Sequence, residues 1–175
     1  PLDRVADVGW CRFSLNNDVT NSGGLLGYYS PLHANVRSGF TFGIMVRVSF
    51  TYSGTTYYKW RGALTEIDPL PGTKGPRVTR CFAVDWMAEA AAYNVRDVGL
   101  QASVTSDAVF SAVLAKITKQ PAATSIQTGI DTFTYALDNI GRGEHPVATA
   151  VFQQLAQSEL GFIYQKGDTT QGGTL

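Results

Sequence analysis

A chain of 175 residues, 44% apolar and 16% charged, has the material for one packed domain or two small ones, and eight Tyr, nine Phe and three Trp exclude a disordered polymer. Fourteen basic and fourteen acidic residues cancel, and Lys and Arg gather in no block, so an electrostatic footprint for nucleic acid or for an anionic membrane is absent. No apolar run reaches about 18 residues and no basic-then-apolar leader opens the chain, so the reading is a soluble, unsecreted protein whose partners are protein surfaces.

The first regular element is a strand in which Cys11, Phe13 and Leu15 alternate with Arg12 and Ser14, the period of a half-buried sheet. Residues 16–40 are rich in Gly, show little periodicity and hold the adjacent rings Tyr28 and Tyr29. A long loop that makes contacts through that pair is expected there. Next, Ile44, Val46, Val48, Phe50 and Tyr52 alternate with Met45, Arg47, Ser49 and Thr51, Ser53-Gly54 forms a tight turn, and Thr56, Tyr58 and Trp60 return. That alternation assigns one face of the hairpin, and half of its rings, to the core. Gly62 predicts a bulge or bend, and Pro69-Leu70-Pro71-Gly72 predicts the end of the ladder, because proline removes amide donors. Residues 77–84 restart as a strand.

At Asp85 the pattern changes to a short helix over 86–93, with the Asp85 carboxylate placed to cap it. A second helix begins at Thr105-Ser106-Asp107 and carries Val109, Phe110, Val113, Leu114 and Ile117 on one stripe. Phe133, Tyr135 and Leu137 alternate as a strand. Pro146 fits the first turn of a third helix with Val147, Val151, Phe152 and Leu155 inward, and Gly161 is expected as its left-handed C-cap. The fold class is therefore α+β: a β-barrel-like half over residues 1–93 and a smaller α/β region over 94–175.

Residue types that carry chemistry are sparse. His33 and His145 stand in no metal-binding spacing, and Cys11 and Cys81 read as buried free thiols, with a cross-strand disulfide as the alternative in an oxidising compartment. No G-x-S-x-G elbow occurs. Glu66 with Asp68, and Asp85 with Glu89, offer carboxylate pairs, but strand neighbours at i and i+2 and a cap with a first-turn acid are the better explanations. Gly141-Arg142-Gly143-Glu144-His145-Pro146 misses a dinucleotide fingerprint, since Pro146 replaces the third Gly and Asp168 lies in a turn. No catalytic, cofactor-binding or metal-ligating residue is assigned, and no cofactor is expected.

Several segments follow one another in a particular order. They are Gly9-Trp10-Cys11-Arg12-Phe13-Ser14-Leu15-Asn16-Asn17, the Gly-rich loop with Tyr29-Ser30-Pro31-Leu32, and Val46-Arg47-Val48-Ser49-Phe50 with its turn. After these come Lys59-Trp60-Arg61-Gly62-Ala63-Leu64-Thr65-Glu66-Ile67-Asp68-Pro69, the strand and helix start over 77–89, and Leu155-Ala156-Gln157-Ser158-Glu159-Leu160-Gly161-Phe162-Ile163-Tyr164. Over most of the chain this order resembles the hub or minor tail proteins at the tip and baseplate of tailed phages and related contractile systems.

The resemblance implies an assembly protein of the virion tail, made in the bacterial cytoplasm and built on a small β-barrel with an α/β region. It implies a ring of copies joining the tail tube to spike or fibre proteins, without catalytic residues. Trp60 then serves the core, Gly62 and Gly161 serve geometry, and Asp85 serves a cap. Hub proteins are usually longer, so the C-terminal region is expected to be incomplete. Two rival expectations are a tail-associated cell-wall hydrolase using a carboxylate pair and a carbohydrate-binding β module with coplanar exposed rings.

Overall fold

Four strands, β1 (Trp10–Asn16), β2 (Met45–Tyr52), β3 (Thr55–Leu70) and β4 (Val78–Val84), form an antiparallel sheet in the order β1-β4-β3-β2. In this computed structural model, which describes residues 3–73, 75–138, 143, 145–167 and 175, the sheet curls into a half-barrel. The protein is α+β. Of the 141–146 run, Gly141, Arg142 and Glu144 lie outside the described residues, as does Asp168.

One face of the sheet gathers Phe13, Leu15, Leu64, Ile67, Cys81 and Ala83, and the loop between β1 and β2 covers it with Tyr29, Phe40 and Val36. Asn17 shapes that loop from a buried position. Its Oδ1 accepts the Tyr29 amide at 2.8 Å, its Nδ2 donates to Ser30 Oγ at 2.7 Å, and the Thr79 hydroxyl donates to the Tyr29 carbonyl at 2.7 Å. The expected contact role is thereby corrected for Tyr29, while Tyr28 is half-buried. Tyr29 is buried and stacks edge-on against both Tyr28 and Phe40, with ring centroids 5.1 and 5.4 Å apart. A curled sheet needs a second layer over its apolar face, and these rings supply it.

Two expectations about β3 are also corrected. The strand runs straight through Gly62 and on to Leu70, and the register shifts instead between Val48 and Ser49 and between Leu64 and Glu66. Pro69 still pairs with Thr79 of β4. Past Ala63 the strand no longer pairs with β2, so a proline there interrupts no ladder on that side. Cys11 and Cys81 are both free thiols, because Cys81 faces Phe13 and Cys11 faces Ala83 across β1 and β4. Burial pushes the Cys81 thiol up to about 11.

The second part of the fold comprises α1 (Met87–Ala92), β5 (Gln101–Thr105), α2 (Ser106–Leu114), β6 (Thr132–Ala136) and α3 (Ala148–Ser158). Its core joins Trp86, Met87, Ala90, Val109, Phe110, Val113, Val151 and Phe152, and it takes in Val5 from the start of the chain. Val5 bridges Ile163 in parallel, with the Ala6 amide donating to the Ile163 carbonyl at 2.9 Å. The change of core thus falls at Asp85, before α1, rather than at residue 93. Strand β5 escapes the sequence reading because Ser103 in its middle has φ 53° and alternation over five residues is weak. Pro146 precedes the third helix rather than opening it, and its carbonyl accepts the Val95 amide at 2.8 Å.

The third helix ends one residue earlier than glycine placement suggests. Leu160, with φ 54°, occupies the left-handed position, while Gly161 does not have positive φ and donates its amide to the Ala156 carbonyl at 2.9 Å. This is a Schellman closure with leucine where glycine is usual. Arg4 Nη1 donates to the Leu160 carbonyl at 2.7 Å, which ties the N-terminal segment to the turn and holds the strained residue in place. Leu160→Gly is expected to raise stability by about 1 kcal/mol, because glycine reaches positive φ without Cβ crowding. Gly161→Val is expected to change it by less than about 0.5 kcal/mol, since nothing lies within 4 Å of a Cβ built there. Urea denaturation midpoints of the two variants check both statements.

Candidate functional site

The feature that the core does not explain is the outer part of the β2–β3 hairpin. Ser53 and Gly54, at φ 47° and 79°, make the left-handed two-residue turn that suits the twist of an antiparallel pair. Beyond the sheet core, no layer formed by the described residues covers either face of this outer part. Phe50, Tyr52 and Tyr57 are 51, 72 and 42% exposed; for Phe50 and Tyr52, expected inward, this corrects the assignment to the core, whereas Trp60 does pack against it. Alternation shows that a strand has two faces; it does not show that one of them is covered.

This arm is braced by its own side chains. Phe50 and Tyr57 stand opposite each other and stack with centroids 5.2 Å apart and an interplanar angle of 24°. The Thr51 and Thr56 hydroxyls meet at 3.0 Å. The register shift leaves Lys59 without an opposite residue, and its Nζ lies 5.1 Å from the Phe50 ring centre and 5.8 Å from that of Tyr57. Arg47 stacks on Tyr58 at 4.6 Å. Such cross-strand and cation–π pairs each contribute on the order of 0.5–1 kcal/mol at exposed sites, enough to keep a short hairpin ordered in water. Over residues 44–65 the charged residues are Arg47, Lys59 and Arg61, all cationic.

At the base of the arm four distant parts of the chain converge. The Trp60 indole lies over Gly62, where a Cβ would collide with both the ring and the Val84 carbonyl oxygen. The indole Nε1 is buried without a hydrogen-bond partner and sits 3.2 Å from the place a Cβ would take on Gly9, which the Asp85 carboxylate also crowds. Asp85 is 8% exposed; its Oδ1 accepts the Met87 amide at 3.0 Å, and its own amide donates to the Gly9 carbonyl at 2.8 Å. The carboxylate therefore caps α1 from one residue before the N-cap position, Trp86. Burial pushes its pKa up to about 6, against the lowering effect of hydrogen bonds from the Gly9 and Met87 backbone. Gln165 closes the seam, accepting the Trp86 amide at 2.9 Å and donating to the Arg61 carbonyl at 3.0 Å. The backbone of Gly167 lies directly against Tyr58 and Lys59.

The sequence-derived residues divide accordingly. Trp60, Gly62 and Asp85 meet in this seam, whereas Gly161 lies apart at the end of α3, and Tyr28 and Tyr29 lie under the sheet. Of the carboxylate pairs, Glu66 and Asp68 share an open depression of about 310 Å³ with Arg12, Ser14 and Arg80 on the opposite sheet face. In the other pair Asp85 is shut in, and Glu89 forms an ion pair with Lys119 at 2.5 Å. Among the described residues, no cluster of three His, Cys, Asp or Glu is placed to hold a metal, and no helix is long and apolar enough to cross a membrane.

Neither protein-family models nor curated proteins match the chain. Its second conspicuous surface, unmarked in the sequence, is a groove of about 660 Å³ between residues 125–130, the start of α2 and the turn after α3. Phe110, Leu155, Ala156 and Phe162 supply apolar lining, and Ile126, Ile130 and Leu160 stand exposed around it. Asp107 and Glu159 lie in the same wall. Hydrogen bonds hold both carboxyls below the usual carboxylate range, chiefly from the Thr105 hydroxyl at Asp107 and from the Ile130 amide at Glu159. The groove is visible only in three dimensions, since its walls come from three separate stretches of the chain, within 106–110, 125–130 and 155–166.

Proposed function

We propose that the chain is a structural part of a phage-type tail tip or baseplate hub, working through contacts with other copies and with tube, spike or fibre proteins. The observation that carries this reading is the braced, solvent-exposed aromatic arm on a curled sheet. A monomeric protein gains nothing from ordering large rings in water, whereas a contact element ordered before it binds loses less entropy on binding. The resemblance in segment order adds the tail, and the ring follows from what such proteins build. Low net charge supports close association of many copies.

Labelling the protein in purified tail particles and imaging them tests the proposal. The expected result is one ring of label at the tail tip; label absent from the particle, or scattered along the tube, overturns it. Hydrolase assays against peptidoglycan and ester substrates form the second arm, with no turnover expected. Turnover abolished by Glu66→Gln or Asp85→Asn would replace the structural reading with the enzymatic one. The carbohydrate-binding alternative has one observation in its favour, the exposed rings of Trp10 and Tyr52. Against it, Phe50 and Tyr57 spend a face each on one another and Lys59 lies over both. Glycan-array binding lost on Trp10→Ala would establish it.

A further inference from the structure

We infer that the cationic aromatic arm of one copy seats in the acidic apolar groove of a second copy, head to tail. This names the partner of the arm and rests on reading the arm as a contact element. Both surfaces expose large apolar groups that no described residue of the same copy covers. On one face the arm offers the stacked Phe50–Tyr57 pair with Lys59 over it, on the other Arg47 lies on Tyr58, and no carboxylate occurs between residues 44 and 65. The groove offers apolar walls with Asp107 and Glu159, and Ile130 beside it is 89% exposed.

Size and charge match. At about 660 Å³ the groove lies in the range that encloses a drug-sized group, so two stacked rings fit. Of the charged residues lining it, Asp107 and Glu159 are anionic and Lys166 is cationic. Seating the ring pair brings Lys59 toward the two carboxylates, which are held in place by the Gly129, Ile130 and Asp131 amides at 2.9, 3.0 and 3.1 Å. Opposite potentials on the two surfaces steer the encounter and set the register.

The arm does not fill the groove of its own copy. Gly167 holds the base of the arm, and residues 161–164 and Lys166, just before it, line the groove, while Phe50, Tyr52 and Tyr57 remain exposed. Because arm and groove are different surfaces, the contact is heterologous. It repeats from copy to copy and closes into a ring where the rotation allows.

Complementation of two variants of the full chain tests this. Phe50→Ser with Tyr57→Ser removes the arm's rings, and Ile130→Asp with Phe162→Asp spoils the groove; all four positions are exposed, and circular dichroism and melting curves confirm folding. Sedimentation equilibrium on the parent is expected to show self-association that weakens with salt. Each variant alone is expected to weaken it by about tenfold or more. Mixed, the two are expected to form a one-to-one dimer and nothing larger, since only one intact arm and one intact groove remain.

Asp107→Asn with Glu159→Gln removes the groove's anionic charge while each amide keeps one oxygen for a backbone N–H and loses the other acceptor; with folding checked in the same way, this pair is expected to weaken association and reduce its salt dependence. A parent monomeric to about 1 mM, or a mixture that associates no better than its components, overturns the inference. An arm variant that self-associates like the parent but no longer enters tail particles also overturns it. That outcome leaves the tail reading standing, with a different protein as the arm's partner.

Discussion

Gly62→Ala is expected to destabilise the protein by about 3 kcal/mol, although β-strand propensity alone favours alanine over glycine by roughly 0.5–1 kcal/mol. The sign is set by what a Cβ meets. At Gly62 it would overlap the Trp60 ring and the Val84 carbonyl oxygen, and the second of these is backbone in the middle of the sheet. Val84 pairs with Ala63 on one side and with Trp10 on the other, so moving its carbonyl disturbs β3, β4 and β1 together. The melting temperature and the urea midpoint of the variant measure the loss; a change within about 0.5 kcal/mol removes Gly62 from the seam.

The two collisions separate in a double-mutant cycle. Trp60→Phe shortens the ring and removes the buried Nε1–H that has no partner, an unsatisfied donor of a kind that costs about 1–3 kcal/mol. In that background Gly62→Ala is expected to lose only the part due to the Val84 carbonyl. Residues in contact couple by about 0.5–3 kcal/mol, so additivity within about 0.3 kcal/mol would show that the indole does not press on Gly62.

Period-two alternation made β1, β2, β4 and the hairpin turn legible, because each buries at least part of one face or obeys a turn rule that only certain residues satisfy. What it left out is the surroundings of each face. Val46 and Phe50 look alike in the sequence, yet Val46 packs on the sheet core and Phe50 stands in solvent, since the covering loop reaches only the inner end of the hairpin. Tyr28 and Tyr29 erred in the opposite direction: a Gly-rich segment without periodicity reads as surface, but Asn17 folds it inward through bonds to Tyr29 and Ser30.

The seam was legible residue by residue and not as a site. Trp60, Gly62 and Asp85 were each marked for a structural role, but Gly9 and Gln165 come from opposite ends of the chain, and nothing local announces that they meet. The one-residue shift from Gly161 to Leu160 has a similar origin. Helix-end rules assume that glycine takes the left-handed position, whereas here the Arg4 contact holds a leucine there.

Asp85→Asn is expected to cross the parent in stability between pH 4 and pH 7.5. Burial raises the Asp85 pKa from an ordinary 3.8 to about 6 in the folded protein. A carboxyl whose folded pKa is raised favours folding most where it is protonated in both states, below about pH 3.8, and that contribution disappears as pH rises through the folded value. A rise of roughly two units corresponds to about 3 kcal/mol, so the parent should lose an amount of that order between pH 4 and pH 7 from this group.

Asparagine carries no charge to bury and keeps an oxygen for the Met87 amide, but its NH2 cannot accept the second backbone hydrogen bond, from Gly9, at a loss of about 1 kcal/mol. The variant should therefore be less stable than the parent by about 1 kcal/mol at pH 4 and more stable by about 2 kcal/mol at pH 7.5. Asp107 and Glu159 work in the other direction, because their lowered pKa values give stability that is lost only as pH falls below the usual carboxylate range. Both are present in parent and variant alike, so the difference between the two denaturation curves isolates Asp85. Parallel curves across this window would mean that the carboxylate is solvated and that the seam admits water.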